Sequence, residues 1–105
     1  MTWFEVIVSA HTAVTDQVSH GSRMKSDRYF VWQEDGNIPL LADGIHAETA
    51  VTGTTDLFTR MEFDPWKAAF EASLNAQRRI SWELNSIQFE DDTGIWHYEW
   101  TWSVL

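Results

Sequence analysis

The chain has 105 residues, 44% of them hydrophobic and 14% aromatic, which suits one domain around one core and leaves little room for disorder. Its formal net charge is −9, from 16 acidic and 7 basic residues, and this excludes nucleic-acid binding through a phosphate-neutralising basic patch. With no cysteine there is no disulfide framework and no thiolate metal site, in keeping with a reducing cytoplasm.

The charge fits an ordinary acidic soluble protein, one that repels DNA, or one with a basic partner. Seven Trp exceed what one small core readily encloses, so some are expected half-exposed and ready for a partner. The opening Met1 to Glu5 has no basic region and no long apolar run, so neither a signal peptide nor a membrane span is expected.

The first segment carries two signals. Val6, Ile7 and Val8 favour a strand, whereas Trp3, Ile7, Ala10 and Val14 recur at helical spacing. Thr2 followed by Glu5 fits a capping box, and the spacing predicts a helix over about Trp3 to Thr15. His20-Gly21-Ser22 breaks that pattern. The run Tyr29 to Trp32 reads as a strand entering a tight turn at Glu34-Asp35-Gly36-Asn37. Ile38 to Asp43 then reads as a short returning strand, which Pro39 confines to an edge or a bulge. Glu48 to Glu62 reads as a longer strand, with a bulge expected at Gly53.

The second helix has the plainest local signals. Asp64 is an expected N-cap, with Pro65 at the first helical position, where its missing N–H costs nothing. Trp66, Ala69, Phe70 and Leu74 form one apolar stripe, and Arg78 and Arg79 are expected at the negative end of the helix dipole. A hairpin closes the chain, with Trp82 to Glu90 and Ile95 to Val104 as strands and Asp91-Asp92-Thr93-Gly94 as the turn. Trp96, Tyr98, Trp100, Trp102 and Val104 share one face of the last strand, opposite His97, Glu99, Thr101 and Ser103. The expected fold is a single α+β domain spanning residues 1–105, in the order α-β-β-β-α-β-β. A small, mostly antiparallel sheet of about four to five strands carries two helices on its aromatic face.

Chemistry-bearing patterns are sparse. Histidines 11, 20, 46 and 97 read as ordinary loop histidines, and His46 with Glu48 lacks the spacing of a helical zinc site. No Gly-x-Ser-x-Gly elbow and no phosphate-cradling glycine loop occurs. The pairs Glu34-Asp35 and Asp91-Asp92 read as solvated turns rather than a catalytic carboxylate pair. The aromatic ladder from Trp96 to Trp102 reads as core rather than a stacking platform, and no basic rim accompanies it. No enzyme, cofactor or metal is expected on these grounds.

Three segments carry a resemblance. Arg28-Tyr-Phe-Val-Trp-Gln-Glu-Asp-Gly36, Gly53-Thr-Thr-Asp-Leu-Phe-Thr-Arg-Met-Glu-Phe63 and Asp92-Thr-Gly-Ile-Trp-His-Tyr-Glu-Trp100 resemble the small tail-terminator, or tail-completion, proteins of long-tailed phages and prophages. The likeness in element order runs from about Val14 to the end. It implies a virion protein, assembled in the bacterial host cytoplasm, that caps the tail tube as a ring, usually hexameric, and joins it to the head connector. Its partners would be its own copies, tail-tube and head-connector proteins, with no sequence-specific nucleic acid and no membrane. An acidic ring lumen suits a DNA path, because cationic walls would hold the passing phosphates. Glu34, Asp35, Asp91 and Asp92 are the candidate lumen or rim residues, and the resemblance carries no catalytic residue onto a numbered position. Two other readings compete: an acidic DNA mimic that inhibits a host defence or nucleic-acid-binding protein, and an enzyme with a diffuse pocket site.

Overall fold

The computed structural model describes the backbone of residues 1–42 and 45–105, and the side chains of these apart from 40–42 and 45–48. Helix α1 spans Trp3–Thr12 and is followed by strands β1 (Val18–His20), β2 (Arg28–Ala42) and β3 (Ile45–Thr59). Helix α2 (Trp66–Asn75) and strands β4 (Ile80–Glu90) and β5 (Ile95–Val104) complete the chain. The strands form one five-stranded sheet in the order β1-β2-β3-β5-β4, with β1 parallel to β2 and the other pairs antiparallel. This is the expected α+β order, α-β-β-β-α-β-β.

The helices start where local chemistry starts them. The Thr2 hydroxyl accepts from the Glu5 N–H at 3.2 Å while the Glu5 carboxylate accepts from the Thr2 N–H at 3.0 Å, so both capping-box bonds form. The α1 helix ends at Thr12, short of Thr15, and buries Val6, Ile7, Ala10 and His11. The α2 helix begins at Trp66, one residue later than the sequence suggests, although Asp64 Oδ1 still accepts from the Trp66 N–H at 2.8 Å. Phe70 and Leu74 are buried as expected, whereas Ala69 faces solvent. Arg78 and Arg79 lie beyond the helix. Arg79 instead ties the chain ends, donating to the carbonyls of Leu105 at 2.6 Å and Met1 at 2.7 Å.

Both helices pack on one face of the sheet. The core joins Val6, Ile7 and Ala10 of α1 and Phe70 and Leu74 of α2 to Phe30, Leu57, Tyr98, Trp100, Trp102 and Val104. Ser73 of α2 donates to the Ala10 carbonyl of α1 at 2.7 Å, fixing the two helices against each other. The alternation read in β5 is therefore real: Tyr98, Trp100, Trp102 and Val104 are buried, while Trp96 is half-buried.

Three strand readings need correction. Glu34 to Asn37 is no turn: β2 runs unbroken from Arg28 to Ala42, and a bulge at Asp35 absorbs the irregularity. The expected strands Tyr29–Trp32 and Ile38–Asp43 are thus one strand as far as Ala42, and Asp43 lies outside the described residues. The count of three strands before α2 is made up instead by β1 at its start, whose three residues carry too little pattern to be read from sequence. Parallel neighbours normally need a long crossover. Here the return spans only a three-residue strand, so Gly21 to Asp27 suffice. That connection lies over the open face, where Arg23 stacks on Phe58 at 4.8 Å and Met24 packs on Tyr29, Val31 and Phe58.

Gly53 is the third correction. It faces Trp102 across the β3–β5 ladder in regular register, and a Cβ there would overlap the Trp102 indole and the Gln33 carbonyl. The expected bulge lies in the partner strand, at Asp35 beside the Glu34–Gly53 pair, and close approach to Trp102 is what requires glycine at Gly53 itself.

Candidate functional site

A chain of hydrogen bonds lies inside the core. His11 Nδ1–H donates to the Ile7 carbonyl at 2.7 Å, so Nε2 is the bare nitrogen and accepts from the Thr55 hydroxyl at 2.9 Å. Thr55 Oγ1 in turn accepts from Trp102 Nε1–H at 2.9 Å. His11 is wrapped by the rings of Phe30, Trp32 and Phe70, and burial lowers its pKa to about 4. His11 lies within the expected helix, and what fails is its reading as an ordinary loop histidine, because it is neutral and buried. It reaches no solvent and joins α1 to β3, so its work is structural.

A buried carboxylate, that of Asp64, sits where β2, β3 and α2 meet. Arg28 binds Asp64 through Nε to Oδ2 at 2.8 Å and NH2 to Oδ1 at 2.6 Å, and lies over the Trp66 ring at 3.7 Å. Burial alone would raise the Asp64 pKa. Hydrogen bonds from Arg28, the Trp66 N–H and Thr59, with the Arg28 charge, outweigh burial and hold the carboxyl below its ordinary value.

The four residues expected at a lumen or rim do not come together. Glu34 and Asp35 point to opposite faces across the bulge. Glu34 accepts from His20 Nε2 at 2.7 Å beside the stacked Trp32 ring, and that bond is the main reason its carboxyl sits below the usual range. Asp35 turns to the open face and accepts from the hydroxyls of Thr52 at 2.7 Å and Thr54 at 3.3 Å. Asp91 and Asp92 occupy the β4–β5 turn as expected, closed by Gly94 at φ 71°. That turn adjoins the Thr59 end of β3, whereas Asp35 adjoins Gly53. Six residues of strand separate those ends, about 20 Å at a rise of about 3.4 Å per residue.

The open face carries more acid than the turns do. Asp35, Asp56, Glu83 and Glu99 share it with Thr52, Thr54, Ser81, Thr101 and Ser103. A shallow basin of about 530 Å³ lies between Asp35 and Glu83. Most of these carboxylates are engaged: Asp56 by His97 at 2.6 Å, and Glu99 by Asn85 at 2.6 Å.

Two further features were not legible in sequence. At the β4 edge, a groove of about 440 Å³ runs between Ile87 and the start of α2, with Trp96 and Tyr98 on its floor and Phe63 at its rim. Beyond the sheet, Asn37–Ala42 and Ile45–Ala50 pair with each other, while β1 reaches only Trp32 and β5 ends at Val51. The result is a projecting two-stranded arm, and the molecule measures 51 × 23 × 22 Å. Among the described residues no group of three or more His, Asp or Glu is placed to hold a metal ion, and no helix is long and apolar enough to cross a membrane. The side chains of His46 and Glu48 lie outside the described residues. No protein-family model matches the chain, and no curated protein matches it.

Proposed function

We propose that this protein is a structural component of a phage tail, which caps the tail tube as a ring of identical subunits and joins it to the head connector. The observation that supports this best is the arm formed by the far halves of β2 and β3. An isolated two-stranded ribbon is marginally stable in water, so an arm of this length gains from lying on a neighbour. Contact between an arm and a different surface of the next copy is heterologous, and such contacts close into a ring when the rotation permits. In this reading the open sheet face, with Asp35, Asp56, Glu83 and Glu99, lines the DNA path. The DNA-mimic reading draws on the same net charge, but mimicry calls for rows of unengaged carboxylates. Asp35, Asp56 and Glu99 are each hydrogen-bonded to neighbours.

The test is genetic. Deleting the gene from the phage or prophage that encodes it should leave tails of irregular length that fail to join filled heads in micrographs of the lysate. Normal, joined virions would rule the function out. Loss of resistance to host restriction would favour the DNA mimic instead.

A further inference from the structure

We infer that the open edge of β4 binds an extended segment of a partner protein in which apolar and basic side chains alternate. The β4 strand is the last in the sheet: β5 pairs with one side of it, and among the described residues no strand pairs with the other. Its outward N–H and C=O groups are a template for one more strand.

The two faces of that edge differ in chemistry. After the bulge at Asn85, Ile87 and Phe89 stand on the helix side, 46% and 47% exposed, and Ile87 opens onto the groove floored by Trp96 and Tyr98. On the other side stand Glu83, Gln88 and Glu90, with Glu99 one strand further in. From Ile80 to Val104 the chain carries carboxylates at positions 83, 90, 91, 92 and 99 and no Lys or Arg. Of the cations around it, Arg60 is engaged by Asp27 and the Thr93 carbonyl, Lys67 by Glu71, and Arg79, just before the strand, by the carbonyls of Leu105 and Met1. An added strand therefore meets an apolar strip on one face and unneutralised carboxylates on the other. Because side chains alternate along a strand, one register places apolar groups beside Ile87 and Phe89 and cations beside Glu83 and Glu90.

Phe63 adds a second, independent sign of contact. It holds a left-handed backbone at φ 55°, unfavourable for a bulky side chain, and yet presents its ring to solvent, 86% exposed, at the groove rim. The core gains nothing from a ring placed there. A second copy of this chain is a poor occupant of the edge. Its arm sequence, from Asp35 to Ala50, carries Asp35, Asp43 and Glu48 and no Lys or Arg, so it would bring like charges together. The edge is assigned on its own chemistry and does not depend on the ring reading.

The probe is a short, end-blocked, dye-labelled peptide alternating valine and lysine, titrated into the isolated protein and followed by fluorescence anisotropy. The expected result is saturable binding, at least about tenfold tighter than that of a peptide of the same composition with its lysines clustered. An alternating valine–glutamate peptide should not bind. Ile87→Lys and Phe63→Ser should each weaken binding by about tenfold or more, and Phe63→Ser keeps the test sound should Ile87→Lys disturb the fold. Amide exchange along Ser86 to Glu90 should slow in the complex. Equal affinity for the clustered peptide would reduce the effect to charge attraction and overturn the proposal, as would no binding by any of the peptides. Sedimentation of the protein alone as an oligomer that Ile87→Lys dissolves would assign the edge to a second copy, and that also overturns it.

Discussion

His11 Nε2 accepts a hydrogen bond from Thr55 Oγ1 at 2.9 Å, and through it a helix residue near the N-terminus is joined to the middle strand of the sheet. The bond requires a bare Nε2, and Nδ1 already carries its proton toward the Ile7 carbonyl. Protonating the ring would turn Nε2 into a donor, so the Thr55 hydroxyl would have to swing its own proton out of the bond and a charge would sit among the aromatic rings that enclose the imidazole. Burial thus keeps His11 neutral down to a pH of about 4.

The first consequence is a loss of stability in mild acid. In the unfolded chain His11 titrates near its ordinary 6.5, so between 6.5 and about 4 the unfolded state binds a proton that the folded state refuses. Stability is therefore full above pH 6.5 and falls as pH drops through this window, by about 3 kcal/mol in total. Urea unfolding measured across the window should show that slope in the parent. In His11→Leu the slope should be flatter, even though the variant is less stable at neutral pH. Equal slopes in the two proteins would place the effect elsewhere.

Thr55 should be worth more than its size suggests. Thr55→Val keeps the shape but strands the Trp102 indole N–H and His11 Nε2 inside the core, and should cost about 3 kcal/mol. Thr55→Ser keeps the hydroxyl and should cost about 1 kcal/mol. Denaturant midpoints in the order parent, serine, valine would support this; serine and valine variants of equal stability would contradict it.

Two glycines of the β2–β3 ladder should respond differently to the same methyl group. At Gly53 the added Cβ overlaps the Trp102 ring, held by its bond to Thr55, and backbone on the other side; Gly53→Ala should cost at least about 2 kcal/mol. At Gly36 the nearest atom to an added Cβ is Thr52 Oγ1 at 3.5 Å, an ordinary contact, so Gly36→Ala should change stability by less than about 1 kcal/mol. Thermal melts of the two variants side by side test the close-approach reading.

Breaking the Arg28–Asp64 pair leaves one charge behind. Asp64→Asn should cost about 3 kcal/mol at neutral pH, because the Arg28 guanidinium loses its bidentate partner and the Trp66 N–H loses an anionic cap. The folded Asp64 carboxyl titrates below its ordinary 3.8, so its contribution is present above that value and lost as pH falls further. That window lies below the one set by His11. Double substitution of Arg28 and Asp64 by apolar residues should recover part of the loss, and a double-mutant cycle measures how much.

Features whose cause is local can be read from the residues alone. Thr2 and Glu5 cap α1 because both bonds lie within four residues. The β5 strand was legible because a strand against a covered face must alternate, and Trp96 to Val104 does so without a fault. Asp91 to Gly94 turns because Gly94 accepts a positive φ. Features that depend on distant partners follow only from the packed fold. Glu34 to Asn37 has every local sign of a turn, yet pairing with β3 carries the strand through it as a bulge, and the acidic pair expected there is split between two faces. The β1 strand exists because β2 offers it an edge; three residues hold no pattern of their own. Gly53 and His11 answer to Trp102 and Thr55, which are remote in sequence, so their neighbours along the chain give no warning. The groove under Phe63 follows from where α2 begins and which strand ends the sheet. Burial and exposure belong to the packed arrangement, and the alternation of Ile87 and Phe89 reads the same whether their face is covered or open.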